Sequence, residues 1–240
     1  MRSAAPFALA LLAAAPAATP VSPAIPKAVG AALANPARAD QQGDDARRQA
    51  AAVLAFSGVK PGDVVIDYLP GQGYWTRIFT GIVGPKGHVY AYWPQGAEKY
   101  AERALPALRA RGLANVTAEV QTTKLPTSPV LANLFWTAQN YHDIPAAAVG
   151  AFNAAVFRAL KPGGTYLVID HADTHGALPT TPSKHRIDPA VVKSQVTGAG
   201  FRFVGQSTVL ANPADDHGKP VFDPSVRGHT DQFVYKFRKS

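Results

Sequence analysis

The sequence predicts one α/β domain, a three-layer sandwich of helices around a seven-stranded, mostly parallel sheet with an antiparallel last strand. Apolar segments of strand length alternate with amphipathic segments of helix length along most of the chain. A glycine turn containing Gly71 and Gly73 joins the first strand to the next helix, and the last strand alternates aromatic with polar residues. At 240 residues with 47% hydrophobic composition, the chain can bury one large core.

The first half of the domain alternates between helix and strand. Asp44 or Asp45 caps a helix that continues to about Phe56, and Gly58 stops it. Pro106 predicts a kink or a break in the helix after the second strand. The predicted elements are a strand at 63–68, a helix at 74–83, a strand at 88–93, a helix at 95–111 and a strand at 115–121.

The second half continues this alternation and ends in a pair of strands. Asp188 followed by Pro189 is typical of a helix start, and Gly200 closes that helix. About twenty residues rich in Asp, His, Pro and Gly separate the last two strands, which is typical of a lid, a binding loop or a flexible excursion. The other predicted elements are a strand at 130–137, a helix at 145–160 and strands at 164–171, 201–210 and 232–238.

The first 39 residues differ in composition from the rest, and we expect a signal peptide or a disordered N-terminus there, with the domain at 40–240. An Ala/Leu-rich run at 4–18 precedes a small-residue motif, Ala-Arg-Ala at 37–39, that suits cleavage. Cleavage nearer Ala17 or Gly30 remains an alternative. A membrane anchor is disfavoured because the apolar run is short and contains two prolines. We therefore expect a periplasmic or secreted protein without a stable membrane span.

Composition excludes several classes of function. Residues 1–39 hold Arg2, Lys27 and Arg38 and no acids, so the rest of the chain is three charges below the whole chain's +8. Its basic residues are scattered with no run of four, which favours a solvated surface over nucleic-acid binding. The absence of cysteine excludes disulfides, thiol catalysis and zinc–thiolate sites.

Three motifs carry a resemblance to a known family. They are Asp67 to Gly73 after the first strand, Leu160-Lys161-Pro162-Gly163-Gly164 before the fifth, and Gly198-Ala199-Gly200-Phe201 before the sixth. Over residues 44–240 the chain resembles the class I S-adenosylmethionine-dependent methyltransferases, which have a Rossmann-like sheet with an antiparallel seventh strand. More narrowly, Asn140-Tyr141-His142-Asp143, Asp170-His171 and His185-Arg186-Ile187-Asp188 look like motifs of exported bacterial methyltransferase-like proteins.

The resemblance implies S-adenosyl-L-methionine as the cofactor, with its amino-acid part held by Asp67, Gly71 and Gly73. Leu69 stands where the family commonly has an earlier glycine. The acid that usually binds the ribose falls on Tyr92 or Trp93, and a second acid near the adenine falls on Thr122-Thr123-Lys124. We assign Leu69, Tyr92 and Trp93 to the cofactor site as well. Two roles remain open for Trp93, stacking on the base or filling a groove.

Topology predicts a second group of polar residues. The fourth and fifth strands are neighbours in this fold, so the residues that follow them should converge at the edge where ligands bind in open α/β sheets. His142 is the candidate proton acceptor, with Asn140 and Asp143 as catalytic partners. The candidates for substrate binding are Tyr141, Asp170, His171, His185 and Arg186. Alternatively, Asn140 and His142 cap the helix that begins at Pro145 or bond to the loop backbone.

The histidines also raise the question of a metal. His171, Asp173 and His175, with His185, offer ligands, but Gly176 and Pro179 indicate that the strand does not continue far enough to align them. We therefore predict no metal site there. The favoured function is a methyltransferase acting on a small molecule; the alternatives are an exported binding protein that has lost methyl transfer, and a metal-dependent hydrolase or lyase.

Overall fold

The computed structural model describes residues 24–176 and 183–240. Its strands form one sheet in the order β3-β2-β1-β4-β5-β7-β6, in which β7 is antiparallel to both neighbours and the other pairs are parallel. The strands are β1 (Val64–Tyr68), β2 (His88–Trp93), β3 (Val116–Val120), β4 (Ala132–Ala138), β5 (Leu160–His171), β6 (Phe201–Ser207) and β7 (Gln232–Lys239). The helices are α1 (Lys27–Leu33), α2 (Ala50–Ser57), α3 (Tyr74–Val83), α4 (Glu98–Ala110), α5 (Val149–Ala159) and α6 (Pro189–Gly198). The predicted fold class is confirmed.

The strand order creates a crevice between β1 and β4. The chain proceeds outward from β1 to β3 and then crosses back, so that β4 pairs with β1 on its other side. At such a switch point the loops after the two strands diverge to opposite faces, and ligands bind between them. The loops after β1, β4 and β5 therefore share one edge of the sheet.

Alternate residues of the central strands enter two cores. On one face, Ile66 and Phe135 pack in a cluster with α5 and α6. On the other face, Val65 and Trp136 pack with α1, α2 and α3. Because both faces are covered, the central strands are apolar along their length.

Three local boundaries differ from the sequence prediction. The first predicted helix starts later, at Ala50, because Gln49 takes a left-handed conformation with φ 45°. The predicted break at Pro106 is wrong: α4 continues through it, since the carbonyl group freed at Glu102 lies on an exposed turn that water can reach. Finally, β5 begins at Leu160 rather than residue 164, with a register irregularity against β4 at its start.

Residues 27–39, which the sequence groups with the N-terminal segment, pack on the domain. Val29 of α1 is fully buried beside α3, and Ala32 lies so close that a Cβ on Gly81 would be 3.0 Å from its own Cβ. The side chain of Arg38 is 2% exposed and donates to Asp45 at 2.7 Å. Residues 1–23, including most of the predicted signal segment, lie outside the described residues. Among the helices of residues 24–176 and 183–240, none is long and apolar enough to cross a membrane.

Candidate functional site

The turn after β1 is built from left-handed residues. Leu69, Gly71 and Gly73 have φ values of 53°, 56° and 73°, and Gly73 is the residue before α3. A Cβ on Gly73 would lie 2.6 Å from the side chain of Leu108, whereas a Cβ on Gly71 would meet nothing within 4 Å. Leu69 therefore holds a left-handed conformation that favours glycine, at a cost of about 1 to 2 kcal/mol.

Asp67 lies under this turn with its carboxylate excluded from solvent. It is 1% exposed, and Thr76 Oγ1 donates to its Oδ2 at 2.7 Å. Burial raises the pKa of Asp67 to about 7, although the hydrogen bonds from Thr76 act in the opposite direction. The carboxyl group is therefore poised to ionise when a cation binds beside it.

A cavity of about 300 Å³ opens above the turn, and we call it the turn cavity. The segment before α2 forms one wall of it. Arg48 Nε and Gln41 Oε1 are buried on that wall without a hydrogen-bond partner in the described part of the chain, although Arg48 Nε lies 3.8 Å from Asp44 Oδ2. Its lining residues are Gln41, Asp44, Arg48, Asp67, Leu69, Pro70, Gly71, Gln72, Tyr74, Trp75, Ala138, Gln139 and Asn140.

Tyr92 and Trp93 do not line the turn cavity, and their assignment to the cofactor site stays a prediction. Tyr92 is 1% exposed and Trp93 is fully buried. Trp93 packs with Ala101 and Leu108 under α4, which corresponds to the groove-filling alternative. The two side chains point to opposite faces of β2, where Tyr92 packs in the core with α5 and α6 and Trp93 packs under α4.

Beside the turn cavity, two histidines and two aspartates form a cluster. His142 lies in a short turn after β4, and its Nδ1 is 2.7 Å from Asp170 Oδ1 at the end of β5. Its Nε2 is 3.2 Å from His185 Nδ1 and 3.5 Å from Asp143 Oδ1. The sequence prediction that residues after the fourth and fifth strands converge agrees with this geometry for His142, Asp143 and Asp170, whereas His185 comes from the segment before α6.

Asp170 determines the orientation of His142. The aspartate is fully buried and also accepts the backbone N–H groups of His142 and His171, at 2.9 and 2.8 Å. Burial alone would lower the pKa of His142, but the charge and hydrogen bond of Asp170, with the charge of Asp143, outweigh burial and raise it. With Nδ1 donating to Asp170, the Nε2 lone pair of His142 points at His185 and Asp143.

Three other predicted site residues have structural roles. Asn140 Nδ2 donates to the carbonyl groups of Tyr68 and Leu69, so its amide ties the loop after β4 to the glycine turn, as the backbone-bonding alternative predicted. Tyr141 is 1% exposed and bonds to Asn153 and Gln195.

Arg186 is also unavailable to a substrate. It is buried against Asp215, with 2.9 Å between Nη1 and Oδ2, and donates to the carbonyl groups of Ala172 and Lys219. In this structure the side chains of Tyr141 and Arg186 are engaged in the core, and their assignment to substrate binding stays a prediction. Sequence spacing placed both next to the site but did not reveal which way their side chains turn.

A second cavity, of about 400 Å³, lies between the long loop and the end of β5, and we call it the loop cavity. Gln139 lines both cavities and so marks where they adjoin. His171 lines the loop cavity, and burial lowers its pKa to about 4, so it is neutral at pH 7. The lining residues are Arg47, Gln139, His171, Val221, Phe222, Arg227, Gly228, Thr230 and Gln232.

The histidine cluster borders the loop cavity. The ring of His185 is 4.9 Å from that of Phe222, and the rings of His142 and His171 are 6.1 Å apart. Neither Arg47 nor Phe222 was predicted from the sequence. For Phe222, only the general composition of the long loop pointed to a lid or a binding surface. A larger cavity, of about 620 Å³, lies between residues 122–131 and α5, and its lining includes none of the clustered residues.

Comparisons with known proteins agree with the architecture. No protein-family model matches the chain. It is 28% identical over 193 residues to the ubiquinone/menaquinone biosynthesis C-methyltransferase UbiE of Ectopseudomonas mendocina, covering 76% of this chain and 65% of that protein. It is 31% identical over 110 residues to a protein-L-isoaspartate O-methyltransferase of Ignicoccus hospitalis, covering 46% of this chain and 48% of that one. The chain thus spans less than two thirds of either relative.

Solved structures show the same fold at low sequence identity. A SAM-dependent methyltransferase from Aquifex aeolicus superposes with a TM-score of 0.60 and 20% identity, covering 85% of this chain and 96% of that one. The glycopeptide N-methyltransferase MtfA, complexed with S-adenosyl-L-methionine, gives 0.54 and 14%, covering 78% and 86%. The [4+2]-cyclase SpnF gives 0.58 and 17%, covering 80% and 82%. The chain therefore has the class I methyltransferase fold, and its sequence relatives include two methyltransferases.

Proposed function

We propose that this protein is an S-adenosylmethionine-dependent methyltransferase that acts on a small molecule. The observation that carries the proposal is the turn cavity, in which a buried aspartate, a left-handed turn and an arginine nitrogen without a hydrogen bond in the described residues meet. Two sequence relatives are methyltransferases, and two solved structures of the same fold are named with S-adenosylmethionine, which supports the same cofactor. A [4+2]-cyclase has the same fold, so the fold alone does not determine which reaction a protein catalyses.

The residues of the turn cavity fit the amino-acid part of this cofactor. Arg48 Nε lacks a hydrogen-bond partner in the described residues and suits a carboxylate. Asp67, once ionised, suits an ammonium group, and Gln41 Oε1 is a second unpaired acceptor. The bound cofactor supplies a methyl group on a positively charged sulfur. Tyr92 and Trp93 lie in the core and have no carboxylate, so neither residue can accept both ribose hydroxyls as an acid would.

The loop cavity suits a small acceptor. Its volume of about 400 Å³ is in the range of small-molecule sites, and Arg47 and Arg227 make it favourable for an anionic group. Phe222 adds an aromatic wall. His142 Nε2 takes the proton that the acceptor releases, and Asp170 stabilises the resulting imidazolium.

Calorimetry with S-adenosylmethionine tests the cofactor assignment. We expect the wild type to bind, and Arg48→Met to bind about 10- to 100-fold more weakly, because one charge-assisted hydrogen bond is lost. Arg103→Met, an exposed change on α4, is the matched control and should bind like the wild type. A folded wild-type protein that gives no heat at millimolar cofactor would sink the proposal and favour a binding protein for another ligand.

We propose that the protein is exported, because residues 4–18 have the Ala/Leu-rich composition of a signal segment. The packing of α1 and Arg38 favours cleavage before Lys27, since later cleavage would remove buried residues of the domain. The mass of the mature protein from a periplasmic or culture fraction tests this. A mature N-terminus within residues 15–27 is expected, and a full-length protein confined to the cytosol would contradict export.

A further inference from the structure

His142, Asp143 and His185 bring three donor atoms together in one small space. His142 Nε2 and His185 Nδ1 are 3.2 Å apart, and Asp143 Oδ1 is 3.5 and 3.4 Å from them. Two imidazole nitrogens and one carboxylate oxygen are a common donor set for zinc. The set differs from the one considered in the sequence, because it contains His142 and Asp143 in place of His171, Asp173 and His175.

The three separations match one face of a zinc tetrahedron. Ligands at about 2.05 Å from the ion, with tetrahedral angles, lie about 3.3 Å from one another. An octahedral ion at about 2.1 Å would instead hold neighbouring ligands about 3.0 Å apart. The observed values, from 3.2 to 3.5 Å, fit the tetrahedral arrangement and leave its fourth corner without a protein ligand from this cluster.

Asp170 supplies an independent reason to expect a metal. Metal-ligating histidines almost always donate their second ring N–H to a carboxylate or carbonyl group, which fixes the tautomer and leaves the other nitrogen free. His142 Nδ1 makes this contact with the fully buried Asp170 at 2.7 Å. The carboxylates of Asp143 and Asp170 also balance the charge of a divalent cation.

The segment that carries His185 is fixed on its C-terminal side. Arg186 is anchored in the buried pair with Asp215, and Ile187 exchanges backbone hydrogen bonds with residues next to β5. His185 itself has φ 54°, a left-handed conformation that is unusual for histidine. The surrounding contacts therefore hold its ring at the cluster, as a metal site requires.

We propose that His142, His185 and Asp143 bind a divalent transition metal ion, zinc in the first place, with Asp170 as the carboxylate behind His142. The fourth position takes water or an oxygen of a small molecule. An ion at this site lowers the pKa of a water or hydroxyl group bound to it. The ion therefore promotes the loss of the acceptor's proton, a step assigned above to the lone pair of His142. Metal binding requires neither the cofactor nor the acceptor and is independent of the proposed methyl transfer.

Cobalt and zinc titrations of the full chain test the site. The wild type, stripped of metal with a chelator, should bind one Co²⁺ with the intense visible absorption of a tetrahedral complex, and Zn²⁺ should displace it. His142→Gln, His185→Asn and Asp143→Asn should each lose this band; asparagine tolerates the left-handed conformation at residue 185. Asp170→Asn should weaken zinc affinity about 10- to 100-fold.

Two variants keep the test decisive. Asp143 has a side chain that is 57% exposed, so its substitution leaves the fold intact and circular dichroism can verify this. His175→Ala is the matched control, since that side chain is 90% exposed and lies outside the cluster, and it should bind metal like the wild type.

The inference fails if the wild type binds no stoichiometric metal, if the cluster variants bind as tightly as the wild type, or if His175→Ala alone abolishes binding. Because these titrations contain no cofactor, their failure is separate from a failure of the calorimetry with S-adenosylmethionine.

Discussion

Replacing Asp67 with asparagine should stabilise the protein at alkaline pH. The carboxylate is fully buried, and its only side-chain partner in the described residues is the hydroxyl group of Thr76. The pKa rises from an ordinary value of 3.8 to about 7. At roughly 1.4 kcal/mol for each pH unit, ionising the buried group above pH 7 costs about 4 kcal/mol of folding free energy, as an upper value.

Because folding raises the pKa of Asp67, the protein loses stability as the pH rises. The folded protein holds this proton more tightly than the unfolded chain, so the group's stabilising contribution is fully present below about pH 4 and is lost as the pH rises to about 7. Asp67→Asn removes the ionisation and accepts the same hydrogen bond from Thr76. The variant and the wild type should be similarly stable at pH 4, and the variant should be more stable at pH 8.5 by up to about 4 kcal/mol.

Urea denaturation at the two pH values, without cofactor, measures the difference. Asp216→Asn, an exposed change in the long loop, controls for the loss of one negative charge and should show no comparable gain at pH 8.5. If Asp67→Asn is destabilised equally at both pH values, the buried carboxylate does not carry an ionisation cost and the reasoning is refuted. Cofactor affinity is a second measurement of the same ionisation. Below pH 7 the affinity of the wild type should rise by up to about tenfold for each pH unit, whereas the affinity of the variant should not change with pH.

Three further changes follow from the packing. Leu69→Gly should relieve about 1 to 2 kcal/mol of left-handed strain but lose part of the leucine's burial. Calorimetry should show tighter cofactor binding by this variant, and weaker binding would contradict the proposed fit of the cofactor to the turn. Arg186→Ala should cost about 3 to 5 kcal/mol in urea denaturation because it leaves Asp215 charged and buried; an unchanged midpoint would contradict the pair. Removing residues 1–39 should lower the thermal midpoint relative to removing 1–23, since Val29 and Arg38 leave the core; equal midpoints would refute this.

The polar edge of the sheet was predictable because parallel strands end on a common edge. An apolar strand ending in Asp67, and the motifs at His142 and Asp170, were enough to place a site between β1, β4 and β5. The helix starting at Ala50 was less predictable, since the left-handed Gln49 has no signature in composition. The direction of side chains was not predictable either: Tyr141 and Arg186 lie beside the site, and both are buried.

The sequence by itself determined the order of strands and helices, the glycine turn and the edge of the sheet where chemistry can occur, because hydrophobic periodicity and turn residues act over a few neighbours. Only the tertiary structure decided which side chains meet there. It brought Arg48 over the turn, buried Trp93 away from it, and placed His185 against His142, 43 positions earlier in the chain. Such contacts depend on long-range packing of whole layers, which local pattern does not encode.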